Sequence, residues 1–238
     1  MHDTVSKSFN PRLSNAFYFI RKGLYKKIKQ YAPELQGKLM DFGCGSKPYQ
    51  SLFTNAAEYI GVDFESPGHS HKNEAIDVIY NGKRIPFNDA HFDAVFCSEV
   101  FEHIFNLEEI IPELNRVMKQ EGKILITCPF VWNEHEIPVD YARYTQFALK
   151  HLLEKNGFTI LALDKSGDFT STIFQLRLLY YNNHFIPSFP LLGKSKFFRK
   201  NIPPVANTGI NLWFKFLHWI LPKRKDLYLN NIVLAQKQ

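Results

Sequence analysis

Two glycines and an aspartate stand at the spacing expected of a binding site for a nucleotide-like cofactor. Gly43 and Gly45 follow the segment Lys38–Phe42, which is short and largely apolar, as is typical of a buried parallel strand. Glycine can adopt positive φ and lets a backbone pass close to a ligand. Asp63 follows about 20 residues later, where a βαβ unit places a carboxylate against ribose hydroxyls. We therefore predict a cofactor site here, with a turn-capping role as the alternative for Asp63.

The elements that must position this site alternate between strands and helices. The hydrophobic pattern predicts strands over 38–42, 58–63, 74–80, 92–97, 122–129, 157–163 and 227–236. It predicts helices over 15–31, 49–55, 107–119, 146–156, 169–185 and 209–221, with 187–204 as a connector. Ser14 and Thr145 are the expected caps of the helices that follow them. Alternation of this kind is typical of a doubly wound α/β sheet.

Four segments in this order carry a family resemblance: DFGCGS, GVDFE, IPFNDAHFDAVFCSEVFEHI and GKILITCPF. Together they resemble the class I S-adenosylmethionine-dependent methyltransferases over roughly residues 38–163, and small-molecule and glycan-type members most. The resemblance implies a Rossmann-like seven-stranded sheet with helices on both faces, S-adenosyl-L-methionine as the cofactor, and a helical insertion before the last strand. The third glycine of the family is replaced by Lys47, a form that occurs within the family.

The resemblance also implies which residues bind the cofactor, in two groups. The first group holds the methionine part and the ribose, and it consists of Asp41, Gly43, Cys44, Gly45, Asp63 and Phe64. The second lies against the adenine or the sulfonium or supports the cofactor loop, and it consists of Asn81, Gly82, Ser98, Glu99 and His103. Family members usually carry an aspartate where Asn81 stands.

Methyl transfer to a hydroxyl needs a base, and the segment after the fifth strand offers one. His135 is the candidate because an unperturbed imidazole titrates near pH ~6.5. Asp140, Tyr141 and Arg143 are candidates for orienting the base or anchoring the acceptor. The alternative is that Arg143 and Asp140 pair to fix the loop. His103 is a second candidate base.

Other chemistries have weaker support in the sequence. His69 and His71 could suggest a metal site, but no third ligand is in view, so we predict no metal. The three cysteines form no CxxC pair, and their contexts do not favour a cysteine nucleophile. Reduced thiols and the absence of a secretion signal favour a cytoplasmic protein.

The formal net charge of +6 favours acidic partners without choosing among them. Residues 209–225 combine aromatic and basic side chains, so they could contact a membrane surface, close the acceptor site, or form a homodimer face. We predict an N-terminal helical cap over 1–36, a cofactor-binding core over 37–168, a helical insertion over 169–226 and the final strand over 227–238.

The predicted function is methyl transfer to an oxygen or nitrogen of a small molecule or glycan, and no specific nucleic acid is expected. The alternatives are a nucleic-acid methyltransferase, a non-catalytic S-adenosylmethionine-binding protein and a nicotinamide dehydrogenase. The missing third glycine and the lack of a catalytic domain weigh against the dehydrogenase.

Overall fold

A seven-stranded sheet organises the fold in this computed structural model, which describes residues 5–64, 74–188 and 196–238, with the backbone alone for 196–202. The strands are β1 (Gly37–Phe42), β2 (Ala56–Phe64), β3 (Val78–Tyr80), β4 (Phe92–Ser98), β5 (Met118–Pro129), β6 (Phe158–Ser166) and β7 (Asn230–Lys237). Their order is β3-β2-β1-β4-β5-β7-β6. Pairing is parallel from β3 to β5, and β7 is antiparallel to β5. The predicted doubly wound sheet is confirmed.

The strand order reverses between β1 and β4. From β1 the chain proceeds outward to β2 and β3, then returns to β4 and continues to β5 on the other side. The loops after β1 and β4 therefore leave the sheet in opposite directions and open a crevice at its carboxyl edge. In doubly wound sheets a ligand binds at such a switch point.

The central strands are apolar because both of their faces are covered. Met40 and Phe42 of β1 and Val95 and Phe96 of β4 are almost completely buried. Parallel strands of this kind show near-continuous hydrophobic runs rather than alternation. The same burial fixes the strand register that places Gly43 and Asp63 at one edge.

Five longer helices accompany the sheet: α1 (Tyr18–Tyr31), α2 (Leu107–Val117), α3 (Gln146–Lys155), α4 (Phe169–Tyr180) and α5 (Lys196–Ile220). In α2 the predicted inward residues Ile110, Ile111, Leu114 and Val117 are buried. Thr145 caps α3 as predicted, since its Oγ1 accepts a 3.2 Å hydrogen bond from the amide of Ala148.

Several sequence predictions about the elements are wrong. The connector expected over 187–204 is helical from Lys196 on, and α5 continues through Pro203 and Pro204. Each proline removes one helical hydrogen bond but does not end the helix here. Met118 begins β5 instead of ending the preceding helix, and β3 covers only the last three residues of its predicted range. Residues 49–55 form only a 3-10 turn, Gln50–Leu52.

The contacts divide the chain into two compact units. The first contains Lys27–Asp164 and Asn230–Gln238, and the second contains Ser6–Lys26 and Lys165–Leu229. In the second unit the rings of Phe174 and Phe214 stack at 4.3 Å between centroids. No described helix has the length and apolar character needed to cross a membrane.

The start of α1 also differs from the prediction. The buried side chain of Gln175 accepts hydrogen bonds from the amides of Phe19 and Ile20, at 3.1 and 3.2 Å, and donates one of 2.8 Å to the carbonyl of Ala16. The first turn is therefore capped by a residue far along the chain. Ser14, the predicted cap, contributes only its backbone carbonyl, as acceptor for Asn207.

Candidate functional site

A cavity of about 310 Å³ lies within the first unit, at the carboxyl ends of β1 to β4. Eight of the residues that we predicted to form the site line this cavity: Gly43, Gly45, Asp63, Phe64, Gly82, Glu99, His103 and Tyr141. They lie at or after the carboxyl ends of five strands, β1 to β5, because the carboxyl ends of parallel strands share one edge. The seven other predicted residues do not line the cavity: Asp41, Cys44, Asn81, Ser98, His135, Asp140 and Arg143.

The backbone conformation at position 43 and the side chains around it both require glycine. Its φ is +73°, and a Cβ there would lie 2.2 Å from Cγ2 of Val100. The amide of Gly43 donates a 2.8 Å hydrogen bond to the carbonyl of Val62. A larger residue would therefore both strain the turn and push Val100 away from the cavity wall.

Asp63 and the glycine turn are joined directly. Oδ2 of Asp63 accepts a 2.7 Å hydrogen bond from the amide of Gly45, and Oδ1 accepts one of 2.8 Å from the amide of Phe64. Each oxygen keeps a second lone pair. The carboxylate is thus fixed in place and can still accept bonds from hydroxyls of a ligand in the cavity.

Asp41 is buried beneath the site rather than in its wall. Its Oδ2 accepts a 2.5 Å hydrogen bond from the hydroxyl of Tyr59, and the residue is only 3% exposed. Burial raises the pKa of Asp41 to about 7, although the Tyr59 bond opposes this shift. Cys44 is also buried, and burial raises the pKa of its thiol. Neither residue lines the cavity.

Asn81 stabilises a turn beside the cavity, and Ser98 links the end of β4 to β5. Oδ1 of Asn81 accepts hydrogen bonds from the amides of Lys83 and Arg84, at 3.0 and 3.2 Å. Oγ of Ser98 lies 2.8 Å from Oγ1 of Thr127. Of the predicted pair Asn81 and Gly82, only the glycine lines the cavity.

Glu99 is a half-buried carboxyl group in the wall, and the protein occupies both of its oxygens. Thr127 donates to Oε1 at 2.7 Å and Asn230 donates to Oε2 at 2.6 Å. Burial raises the pKa of Glu99 to about 7, against the effects of Thr127, Arg143 and Asn230. These bonds hold the side chain in one orientation, at the turn where Glu99 has a φ of 57°.

Asp140 and Arg143 form a pair that fixes the segment after β5. Two nitrogens of Arg143 donate to the two carboxylate oxygens of Asp140 at 2.6 and 2.7 Å, and the amide of His135 donates to Oδ2 at 3.0 Å. This matches the loop-fixing alternative raised from the sequence. His135 is half-buried. Burial is the main cause that lowers its pKa, and the nearby His103 lowers it further. Its role as a base stays a prediction.

Tyr141 is the predicted site residue of this segment that lines the cavity. It is 48% exposed, and its ring meets the exposed ring of Phe105 edge-on at 5.4 Å between centroids. Its amide donates to the carbonyl of Glu102 at 2.8 Å. The two rings form an aromatic surface beside the cavity, where an acceptor could pack.

Sequence reasoning missed ten lining residues: Phe42, Tyr80, Val100, Ile104, Phe105, Asn106, Glu109, Ile110, Glu136 and Val139. Most are apolar, and apolar residues near strand ends carry no chemical signal that separates a cavity wall from core.

The support beneath the glycine turn was also missed. Nζ of Lys47 lies 2.5 Å from Oδ2 of Asp77, which accepts a 2.6 Å hydrogen bond from the amide of Gly61. A Cβ on Gly61 would lie 2.2 Å from Cε of Lys47. A glycine inside a strand pattern often marks a close approach, so Gly61 was the available signal.

Comparison with known proteins agrees with this geometry. Residues 40–126 match the family model described as a methyltransferase domain. A Legionella pneumophila malonyl-[acyl-carrier protein] O-methyltransferase is 24% identical over 91% of this chain and 82% of its own length. The mitochondrial ubiquinone biosynthesis O-methyltransferase of Bos taurus is 31% identical over 46% of this chain and 34% of its own.

Solved structures show the same fold at low identity. An S-adenosylmethionine-dependent methyltransferase from Archaeoglobus fulgidus has a TM-score of 0.55 and 18% identity, covering 97% of each chain. Phosphoethanolamine N-methyltransferase 2 of Haemonchus contortus, solved with S-adenosyl-L-methionine, has a TM-score of 0.52 and 16% identity over 97% of this chain and 55% of its own.

The chain spans 51% of a Methanocaldococcus jannaschii protein to which it is 30% identical, and a third of the bovine enzyme. The family match over 40–126 contains the second half of β1 and all of β2, β3 and β4, at whose carboxyl ends the cavity lies. Residues 40–126 therefore match a methyltransferase domain, and the sheet has the fold of solved S-adenosylmethionine-dependent methyltransferases, in agreement with the resemblance seen in the sequence.

Proposed function

We propose that the protein is an enzyme that transfers a methyl group to an oxygen or nitrogen atom of a small-molecule or glycan acceptor. The observation that carries this proposal is that Gly43, Gly45 and Asp63 surround one cavity at the switch point of the sheet. S-adenosyl-L-methionine would supply an electrophilic methyl group there. The Legionella and bovine relatives are both O-methyltransferases, which supports an oxygen acceptor.

The residues fit this cofactor through backbone access and one carboxylate. Gly43 and Gly45 would let the chain approach the methionine part, and Asp63 would accept hydrogen bonds from ribose hydroxyls. Glu99, held by two hydrogen bonds, would add a fixed side chain to the cavity wall. The chain's main contribution to rate would be alignment of the acceptor, which can supply ~7–11 kcal/mol.

Residues 37–168 and 227–238 would carry this cofactor chemistry, and residues 1–36 and 169–226 would select the acceptor. A cytoplasmic location is consistent with the three buried, unpaired cysteines. A homodimer stays a prediction.

The proposal is tested by methyl transfer from labelled S-adenosyl-L-methionine. Purified protein is offered pools of hydroxylated and amino small molecules, oligosaccharides and RNA in parallel, and the label and S-adenosylhomocysteine are both measured. We expect label in a small-molecule or oligosaccharide pool. Label in RNA alone would favour the nucleic-acid alternative, and cofactor binding without transfer to any pool would favour a binding protein.

We also propose that α5 makes peripheral contact with anionic lipid. Trp213, Phe216 and Trp219 are 50–75% exposed, and Lys215 and the exposed run Lys223–Lys225 add positive charge beside them. Aromatic side chains next to basic ones suit a membrane interface. We expect the protein to float with vesicles containing phosphatidylglycerol and the Trp213→Ala/Trp219→Ala variant to float less. Equal flotation of both proteins, or none, would contradict this proposal.

A further inference from the structure

A cluster of one carboxylate and two imidazoles lies at the cavity, and the cofactor contacts proposed above give no role to its buried carboxyl group, Glu102. Atoms of Glu102, His103 and His135 that could ligate a metal all lie within 4.8 Å of one another. The turn Phe101–His103 follows β4, and His135 follows β5. Because β4 and β5 are paired parallel strands, their carboxyl ends bring these side chains together.

Glu102 is the unusual member of the cluster. It is completely buried, and its Oε1 has no hydrogen-bond partner among the described residues, while Oε2 is contacted only weakly, by Sγ of Cys128 at 3.8 Å. A buried carboxyl group without partners is costly, so such groups are normally paired or bound to a metal. Oε1 lies 3.8 Å from Nε2 of His103 and 3.9 Å from Nε2 of His135.

Both imidazoles turn the same nitrogen toward Glu102. Nδ1 of His103 lies 2.7 Å from the carbonyl oxygen of Val139, which can only accept, so Nδ1 carries the proton and Nε2 has a free lone pair. Nδ1 of His135 faces Oδ2 of Asp140 at 3.3 Å. A hydrogen bond like that of His103, made by the nitrogen that faces away from the ion, orients histidines that bind metals; among the described residues Nδ1 of His135 makes no hydrogen bond and only lies near Asp140.

We propose that Glu102, His103 and His135 bind one divalent transition-metal ion through Oε1 and the two Nε2 atoms. Two ligands of a tetrahedral ion, each about 2.0–2.2 Å from it, lie about 3.3–3.6 Å apart. The distances from Glu102 to the imidazoles therefore need to shorten by only about half an ångström. Two imidazoles and a carboxylate favour zinc, cobalt, nickel or ferrous iron over magnesium or calcium.

The cavity side of the site offers a further ligand. Oε2 of Glu136 lies 3.8 Å from Nε2 of His103, and Glu136 and His103 both line the cavity. A bound ion would balance the charge of Glu102. It would also link the turn after β4 to the segment after β5, and His135 would then act as a ligand rather than a base.

The test is a Co²⁺ titration of the full chain after removal of metals with a chelator, followed by visible absorption, with Zn²⁺ as competitor. We expect one ion per chain. Glu102→Gln, His103→Ala and His135→Ala should each weaken binding more than about 100-fold, since loss of supporting contacts alone costs 10–100-fold. His151→Ala, at an exposed position, and the His69→Ala/His71→Ala double variant are the controls and should bind as the unchanged protein does.

Absence of saturable Co²⁺ binding, unchanged affinity in Glu102→Gln, or loss only in the His69→Ala/His71→Ala variant would overturn the proposal. Glu102→Gln preserves shape and removes a buried charge, so it decides the question if the histidine variants fail to fold. S-adenosyl-L-methionine binding is measured separately on each protein. A metal result is therefore independent of the proposed methyl transfer.

Discussion

The carboxylate of Asp63 accepts a 2.7 Å hydrogen bond from the backbone amide of Gly45, joining the end of β2 to the turn after β1. Parallel pairing of the two strands, with Asp41 opposite Gly61 and Phe42 opposite Val62, sets this arrangement. The acid and the turn therefore form one structural unit before any ligand is bound. A cofactor that contacts both would find them already in position.

Replacing Asp63 should reduce cofactor binding and also loosen the turn that its carboxylate holds. Asp63→Ala removes a charged acceptor, and hydrogen bonds to charged groups contribute about 1.5–3 kcal/mol. We expect S-adenosyl-L-methionine affinity to fall about 10–150-fold in calorimetry. Glu58→Ala is the matched control, because Glu58 lies on the same strand and its exposed carboxylate pairs with Lys38 at 3.1 Å. Equal loss of affinity in both variants would contradict the assigned role.

A methyl group at position 43 should destabilise the turn. Gly43→Ala places a Cβ at φ +73° and 2.2 Å from Val100, so we expect a loss of about 2 kcal/mol or more of unfolding free energy in urea. Val100→Ala in the same chain should restore part of it by removing the clash. Gly209→Ala is the control: nothing lies within 4 Å of the added Cβ, and the helix should gain up to about 1 kcal/mol. A Gly43→Ala protein as stable as the unchanged one would contradict the model of the turn.

The burial of Asp41 should make stability depend on pH. Its pKa is about 7 in the folded protein and near 3.8 when exposed, so the folded state binds the additional proton between these values. Stability contributed by this group therefore falls as pH rises from about 4 to about 7. The free energy of unfolding of Asp41→Asn, measured in urea and taken relative to that of the unchanged protein, should therefore rise across that pH interval by up to about 4 kcal/mol.

Asp93→Asn provides a control with the opposite sign. The hydrogen bond from Lys119 lowers the pKa of Asp93, so its contribution to stability is present above the unfolded pKa and is lost as pH falls. The loss of stability that Asp93→Asn causes should therefore disappear at acidic pH. An effect of Asp41→Asn that does not change with pH would show that Asp41 is ionised in the folded state.

The side chain of Gln175 should be essential for the second unit. Gln175→Leu leaves the amides of Phe19 and Ile20 without their acceptor in a buried place, which costs about 1–3 kcal/mol for each unsatisfied group. We expect a clear fall in the thermal midpoint. Gln30→Leu, an exposed change on the same helix, should stay within about 0.5 kcal/mol. A neutral Gln175→Leu would contradict this account of the cap.

The sequence predicted the parts of the protein that depend on local pattern. The apolar runs of β1 and β4, the stripe of α2 and the spacing of Gly43 and Asp63 each follow from periodicity and backbone geometry. Parallel topology then brings the carboxyl ends of the strands to one edge, so the cavity's position could be predicted as well.

Features that depend on distant partners could not be predicted. Gln175 caps a helix more than 150 residues away in the chain, and Asn230 fixes Glu99 from the last strand. Neither residue type signals such a contact. Asp41 looked like a cofactor ligand because it precedes the glycines, but its position on β1 turns it toward Tyr59. Met118 has the apolar character that both α2 and β5 require, so pattern alone could not assign it.

The central claim is that the cavity at Gly43, Gly45 and Asp63 binds a sulfonium nucleoside. The most direct measurement is calorimetric titration of the folded protein with S-adenosyl-L-methionine, S-adenosylhomocysteine and NAD in parallel. We predict saturable binding of the first two at one site per chain, lost or strongly weakened in Asp63→Ala, and no binding of NAD. No heat from S-adenosyl-L-methionine, or binding that Asp63→Ala leaves unchanged, would contradict the account.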